Sequence, residues 1–170
     1  VVFSGNAGGV FDLYRLTLAT GAVERLTADV FADLEPVVTP DGRGVVFVTE
    51  RDSTNLDTLE SGALRLAYLD LATKEIAPVD LGSASLVNAD GIVLRGHTLW
   101  VVQNFSRQIS ELALDGDWAS GRLVSVTPTP ASGTFTAAKI AKGRLLIVDS
   151  QFGFAPPFAA EDRVVVTTLP

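Results

Sequence analysis

The stretch Leu13-Tyr14-Arg15-Leu16-Thr17-Leu18-Ala19-Thr20 returns 53 positions later as Leu66-Ala67-Tyr68-Leu69-Asp70-Leu71-Ala72-Thr73. Upstream of each copy lies a second echo, because Val1-Val2-Phe3 returns as Val45-Val46-Phe47 after 44 positions. The two offsets differ by nine residues, which places an insertion near 52–62. The second half repeats as well: Gly96-His97-Thr98-Leu99-Trp100-Val101-Val102 returns as Lys142-Gly143-Arg144-Leu145-Leu146-Ile147-Val148, 46 positions on. The strands after these copies are about 55 positions apart, so a second insertion lies near 152–160.

Each repeated piece reads as a strand or a hairpin. Apolar runs such as Val45–Val48, Leu99–Val102, Leu145–Val148 and Val164–Val166 are short, branched and bounded by Gly, Pro and Asp, which suits strands buried on both faces. Others alternate: Tyr14, Leu16 and Leu18 face one way, Arg15 and Thr17 the other. Residues 53–61 favour a loop over a short helical turn. The turns carry their own chemistry. In Thr39-Pro40-Asp41-Gly42, Pro presets one φ and Asp-Gly supplies the positive φ of a tight hairpin. Ala19-Thr20-Gly21, Gly96-His97, Asp115-Gly116 and Lys142-Gly143 occupy similar places. No apolar stripe of helical period runs for ten residues.

A unit of about 40–50 residues with up to four strands has the period of a β-propeller blade. Four such units fall at 1–27, 34–81, 90–128 and 135–169, with three, four, four and three strands. The fold expected is therefore all-β, a β-propeller with about four blades and 14 strands visible. A β-sandwich or barrel has no reason to repeat at this period. Fourteen strands do not close a four-bladed ring, so the chain is expected to be part of a six-bladed or larger ring, or of a ring that borrows strands from another chain. Residues 1–170 are read as one propeller domain or partial propeller, since residues 80–86 have no linker character.

Composition narrows the chemistry. The chain has 170 residues, no Cys and one His, which excludes disulfides, thiolate sites and poly-His zinc sites. A formal charge of −7 argues against a general nucleic-acid or anionic-membrane partner. That charge lies wholly in the first half: residues 1–85 carry 13 acids and 6 bases, residues 86–170 seven of each. No apolar run is long enough for a helical membrane span. The start at Val1 lies inside a strand and has no signal-peptide character, so the N-terminus is expected to be truncated. Ten Arg against three Lys, with abundant Ala, point to a GC-rich, bacterial source.

Residues 1–80 resemble TolB-type propeller repeats. Val2-Phe3-Ser4, Leu13-Tyr14-Arg15-Leu16, Ala19-Thr20-Gly21, Arg25-Leu26-Thr27, Glu35-Pro36 and Thr39-Pro40-Asp41-Gly42 carry the resemblance. Thr39 and Val38 stand where that family has Ser preceded by an aromatic. Residues 86–170 are similar to the senescence-marker/gluconolactonase-like propellers, through Asn88-Ala89-Asp90-Gly91-Ile92-Val93-Leu94, Thr98-Leu99-Trp100-Val101-Val102-Gln103-Asn104, Val148-Asp149-Ser150 and the loop from Phe152-Gly153 to Pro156-Pro157.

The second resemblance implies a divalent cation, commonly Ca²⁺, held by oxygen ligands at the starts of inner strands, where it polarises a lactone carbonyl. It places Asp90 at one such start, where that family has Asn; Glu35, outside this resemblance, lies near the start of the second blade's inner strand and could reach a central channel. The matching place in the last blade falls near Thr134-Phe135, which offers no carboxylate. Asp90 also suits a turn carboxylate capping local N–H groups, and Glu35 an ordinary rim residue. Gln103, Asn104 and Asp149 lie at strand ends, where they either meet a ligand at a channel mouth or bond between blades; Asp149 is the counterpart of Gln103. His97 reads as an exposed turn residue, Trp100 as core and Trp118 as packing between blades. The Asn104-Phe105-Ser106 sequon is idle in a bacterial protein. The Phe152–Phe158 aromatic segment reads as a partner loop or as an insertion folded on its blade.

No Gly-x-Ser-x-Gly elbow or phosphate loop is present. The expected function is a TolB-like propeller module that binds a protein partner or a small-molecule ligand, in a periplasmic or extracellular setting. The alternative is a divalent-metal-dependent lactone hydrolase. A third reading is the propeller part of an exopeptidase whose catalytic domain lies elsewhere.

Overall fold

The Thr39–Gly44 hairpin shows how local chemistry sets the strands. Thr39 Oγ1 donates to Asp41 Oδ1 at 2.6 Å and accepts from Gly44 N–H at 3.0 Å, while Gly42 takes φ +71°. The hydroxyl is what this turn needs, so Thr serves where the resembling family has Ser. At 115–121 the expectation fails in detail: the left-handed residue is Trp118, at φ +63°, and not Gly116.

The computed structural model describes residues 1–51, 53–58, 60, 62–150 and the strand 163–168. Among these residues fourteen strands form four antiparallel sheets, each a simple meander. The first is β1 (Val2–Asn6), β2 (Phe11–Thr17) and β3 (Ala22–Arg25). The second is β4 (Asp33–Val38), β5 (Gly44–Thr49), β6 (Arg65–Asp70) and β7 (Ile76–Pro78). The third is β8 (Ala89–Arg95), β9 (Thr98–Gln103), β10 (Gln108–Leu114) and β11 (Gly121–Pro128). The fourth is β12 (Phe135–Ala141), β13 (Arg144–Asp149) and β14 (Arg163–Thr168). Residues 53–58 form no helix, and no helix among the described residues is long and apolar enough to cross a membrane.

The sheets stack in chain order, face against face. Leu13 and Leu26 meet Val45, Phe47 and Leu69 between the first two sheets. Val46, Val48 and Leu66 meet Ile92, Leu99 and Val101 between the second and third. Val93, Trp100 and Val102 meet Phe135, Leu145 and Ile147 between the third and fourth. Every residue of β5 is buried, as a strand covered on both sides requires. Burying each of these side chains contributes about 1.5–3 kcal/mol. Among the described residues no packing joins the first sheet to the fourth; the four sheets have a β-propeller architecture, and they do not form a closed ring.

The alternation in β2 is as expected, with one correction. Tyr14 and Leu16 share a face, but the face pressed on the second sheet is that of Leu13. Leu18 lies beyond the strand and is exposed.

Candidate functional site

β4, β8 and β12 are the first strands of their sheets and pack side by side. Each carries the same irregularity near its start. In β4, Leu34 pairs with Val48 and Val37 with Val46, so Glu35 and Pro36 together oppose Phe47. In β8, Asp90 and Gly91 together oppose Val102. In β12, Thr136 and Ala137 together oppose Val148. These are β-bulges. Pro36, which has no N–H, is suited to the gap a bulge leaves in the ladder. Register therefore makes Glu35, Asp90 and Thr136 equivalent. The sequence match near Thr134-Phe135 falls one to two residues short of Thr136.

Glu35 holds φ +49°, the left-handed region, a strained choice for a non-glycine residue. It keeps much of its surface in solvent, yet crowding by the surrounding protein raises its carboxyl above the ordinary range, and the charge of Asp90 adds to that rise. Burial likewise raises the Asp90 carboxyl, offset in part by Asn104, whose Nδ2 donates to Asp90 Oδ2 at 2.8 Å. The structure thus brings Glu35, Asp90 and Asn104 to one place. Neither carboxylate has a cationic side chain as partner among the described residues.

Gln103 and Asp149 turn inward. Gln103 Nε2 donates to Val87 O at 2.8 Å and to Ser85 O at 3.3 Å. Its Oε1 accepts from Ser110 Oγ at 2.6 Å and Gln108 Nε2 at 2.9 Å. The amide's hydrogen-bonding capacity is spent on holding the segment that enters the third sheet. Asp149 is its counterpart by register: buried, it accepts from Thr134 N–H at 2.9 Å. A Cβ at Gly133 would lie 2.8 Å from the Asp149 carboxylate, so the entering loop passes close by.

A polar cluster that sequence reading missed joins the first two sheets. Arg51 Nη2 donates to both oxygens of Asp33 at 3.0 and 3.1 Å, and Nη1 to Asp29 Oδ2 at 2.6 Å. Its guanidinium lies 5.3 Å from the Phe31 ring centre. Asp33 is wholly buried; burial raises its carboxyl, opposed by Thr49, Thr27 and Arg51. Beside it Arg25 donates to the buried Asp12, and Thr27 accepts from Leu13 N–H at 2.9 Å. The available signal was an Asp at the entry to one strand and an Arg just past its neighbour.

The remaining expectations fall elsewhere. His97 is exposed, at the opposite end of β8 from the bulge, and stacks on Trp118 with ring centres 4.3 Å apart. Trp118 is buried and stacks on Tyr68 of the second sheet, as a residue packing between blades does. Trp100 is core. Phe105 is exposed. Phe152–Phe158 lies outside the described residues.

A groove of about 560 Å³ lies between the start of β6, the end of β7 and the segment 79–87 that leads to the third sheet. Leu64, Leu66, Val79 and Leu86 line it, with Arg65 and Asp80 among its polar groups. One wall is the segment around Ser85–Val87 that Gln103 holds. The groove does not include Glu35 or Asp90. Among the described residues no three His, Cys, Asp or Glu side chains are grouped to hold a metal. Glu35 and Asp90 offer two carboxylates, with Asn104 beside Asp90; the other oxygens of a Ca²⁺ shell would come from backbone carbonyls or water.

No protein-family model matches the chain, and no curated protein matches it in sequence. Solved structures do. TolB from Acinetobacter baumannii matches with a TM-score of 0.52 and 16% identity, over 86% of this chain and 36% of its own. A 6-phosphogluconolactonase-like protein from Bacteroides fragilis matches with a TM-score of 0.58 and 18% identity, over 87% and 44%. The β-propeller domain of the Trilobed protease from Pyrococcus furiosus matches with a TM-score of 0.51 and 10% identity, over 97% and 49%. The likeness is one of fold. The chain spans half or less of the length of these structures.

Proposed function

We propose that this β-propeller chain is a binding module of TolB-like type, acting as one unit over residues 1–170. It would take a protein segment or a small ligand at the end of the sheets where the inner strands begin. One observation carries the reading: Gln103 devotes its whole amide to Ser85, Val87, Ser110 and Gln108, so a strand-end polar group holds in place the segment that forms one wall of a preformed groove. A groove of this size and lining suits ligand binding. A periplasmic or extracellular setting belongs to the same proposal and rests on the TolB-type resemblance. Fragment screening by amide NMR tests it. Hits should shift Leu64, Leu66 and Leu86 together, and Ser85→Trp, which fills the groove, should abolish those shifts. Hits scattered over the surface would count against the reading.

A second reading is a divalent-metal-dependent hydrolase of lactonase type. It is favoured by the placement of Glu35 and Asp90 at equivalent bulges, close enough for one charge to be felt by the other. Calorimetric titration with Ca²⁺ separates the two. Saturable binding lost in Asp90→Ala supports a cation site; no heat of binding removes it.

A further inference from the structure

β7 is shorter than the strand it covers. It spans three residues, Ile76–Pro78, against the six of β6, Arg65–Asp70. Their ladder ends at the pair Ala67 and Pro78. One more bond follows, from Val79 N–H to Leu66 O at 3.0 Å. The chain then leaves β6 for the third sheet. Asp80 N–H donates to Ala119 O at 2.9 Å, and Gly121 N–H donates to Asp80 O at 2.9 Å, a parallel bridge between Asp80 and Ser120.

This departure leaves backbone groups at the start of β6 unpaired. Leu66 O meets Val79 on the side of β7, so by alternation Leu64 points its N–H and C=O to that side as well, while Arg65 points to Thr49 of β5. Among the described residues the Leu66 N–H has no acceptor, and neither the N–H nor the C=O of Leu64 has a partner. Leu66 is 2% exposed, and an orphaned buried N–H is rare in a folded protein. The groove opens along this edge, with Leu64, Arg65 and Leu66 on one side and Leu81 and Leu86 among the residues facing them.

One residue of extended backbone fits the free groups. In a parallel ladder a residue donates its N–H to one C=O of the neighbouring strand and accepts from the N–H two residues further on. Asp80 does this to Ala119 and Gly121. A residue opposite Arg65 would do the same to Leu64 O and Leu66 N–H, and the bond from Val79 to Leu66 O stays in place. We propose that an extended segment of a partner protein adds to β6 here as a short parallel strand, in the place that β7 leaves empty. Strand addition at a sheet edge is a recurrent mode of peptide recognition. The proposal rests on the reading of this groove as the binding site, and it names the occupant.

The edge also sets the segment's side chains. The residue opposite Arg65 shares the Arg65 face of the sheet, and its two neighbours share the face of Leu64 and Leu66. Arg65 is exposed and has no ion-pair partner among the described residues, which suits an acidic side chain opposite it. Leu64, Leu66 and Leu86 suit apolar ones. The segment therefore alternates acidic and apolar residues. An apolar small molecule would leave the Leu66 N–H without an acceptor.

A short synthetic peptide of alternating valine and glutamate, acetylated and amidated at its ends, is the probe. Amide exchange on the intact chain should slow by about tenfold or more at Leu64 and Leu66 when it binds. Arg65→Gln should weaken binding about threefold, as loss of an exposed ion pair does. Methylating the glutamate nitrogens of the peptide, which pair with β6, should abolish the protection. Methylating the valine nitrogens, which point away from β6, should not. Binding that survives methylation of the glutamates overturns the proposal, since no ladder then forms. So does unchanged exchange at Leu66 at the highest soluble peptide concentration, which would mean that water alone serves that N–H. Fragment hits gathered at Leu64, Leu66 and Leu86 without any peptide effect overturn this proposal alone, whereas fragment hits scattered over the surface overturn the reading of the groove beneath it.

Discussion

Gly91 rests directly on the backbone of Thr136. A Cβ at position 91 would lie 2.6 Å from the Thr136 carbonyl oxygen, and would also be too close to Ala137 Cα and Ala138 N. The bulge of β8 is therefore in van der Waals contact with the bulge of β12, and glycine is needed for close approach rather than for an unusual φ. Gly91→Ala should cost about 1–3 kcal/mol as an overpacked contact against unyielding main chain. Urea unfolding checks this; an unchanged midpoint would mean that the two bulges slide apart freely.

Gln103→Leu keeps the side chain's bulk and removes its bonds. The carbonyls of Ser85 and Val87, and the Ser110 hydroxyl, would lose a buried partner. The expected loss is about 2–4 kcal/mol, the cost of unmade buried hydrogen bonds. Amide exchange should speed up through residues 84–89 more than in β5, which discriminates a freed segment from general loosening.

Arg51→Met strips the buried Asp33 of its bidentate partner. Breaking a buried pair from one side costs about 3–5 kcal/mol, and somewhat less here because Asp33 keeps Thr49 and Thr27. The pH dependence has a definite sign. Asp33 already titrates above the ordinary carboxylate range, so its ionised form weighs against folding as pH rises through that raised value. Without Arg51 the penalty grows. The gap between wild type and variant should be widest near about pH 7 and shrink near about pH 4, as read from paired denaturation curves.

Glu35→Gln removes a crowded charge that faces Asp90. Because the Glu35 carboxyl is raised, its ionised form disfavours the fold above that value and has no such effect once protonated. The variant should melt about a degree higher at neutral pH, the small size reflecting solvent screening at an exposed site. The difference should vanish in acid. A variant that melts lower at neutral pH would show that Glu35 has a favourable partner.

Strand positions were readable in the sequence because each hairpin turn declares itself: Pro40-Asp41-Gly42 and Gly96-His97 both end one strand and start the next. The 46-residue offset also made Asp149 the partner of Gln103, as the ladders show. Three things were not readable. A bulge adds a residue without any marker in composition, so the irregularity shared by β4, β8 and β12 was invisible, although the same offset leads from Asp90 to Thr136. And alternation in β2 reveals that Tyr14 and Leu16 share a face, but not whether a neighbouring sheet covers that face. Asp33 and Arg51 are 18 residues apart and meet only because a hairpin folds them together, a relation no local pattern carries.

The repeated bulge also separates upkeep from purpose. Glu35, Asp90 and Thr136 each ride on a residue that the ladder does not count, so these three positions can change identity while strand register and core stay as they are. A glutamate, an aspartate and a threonine already occupy them. The arrangement resembles a turret with interchangeable fittings: a side chain there can change with the masonry below untouched.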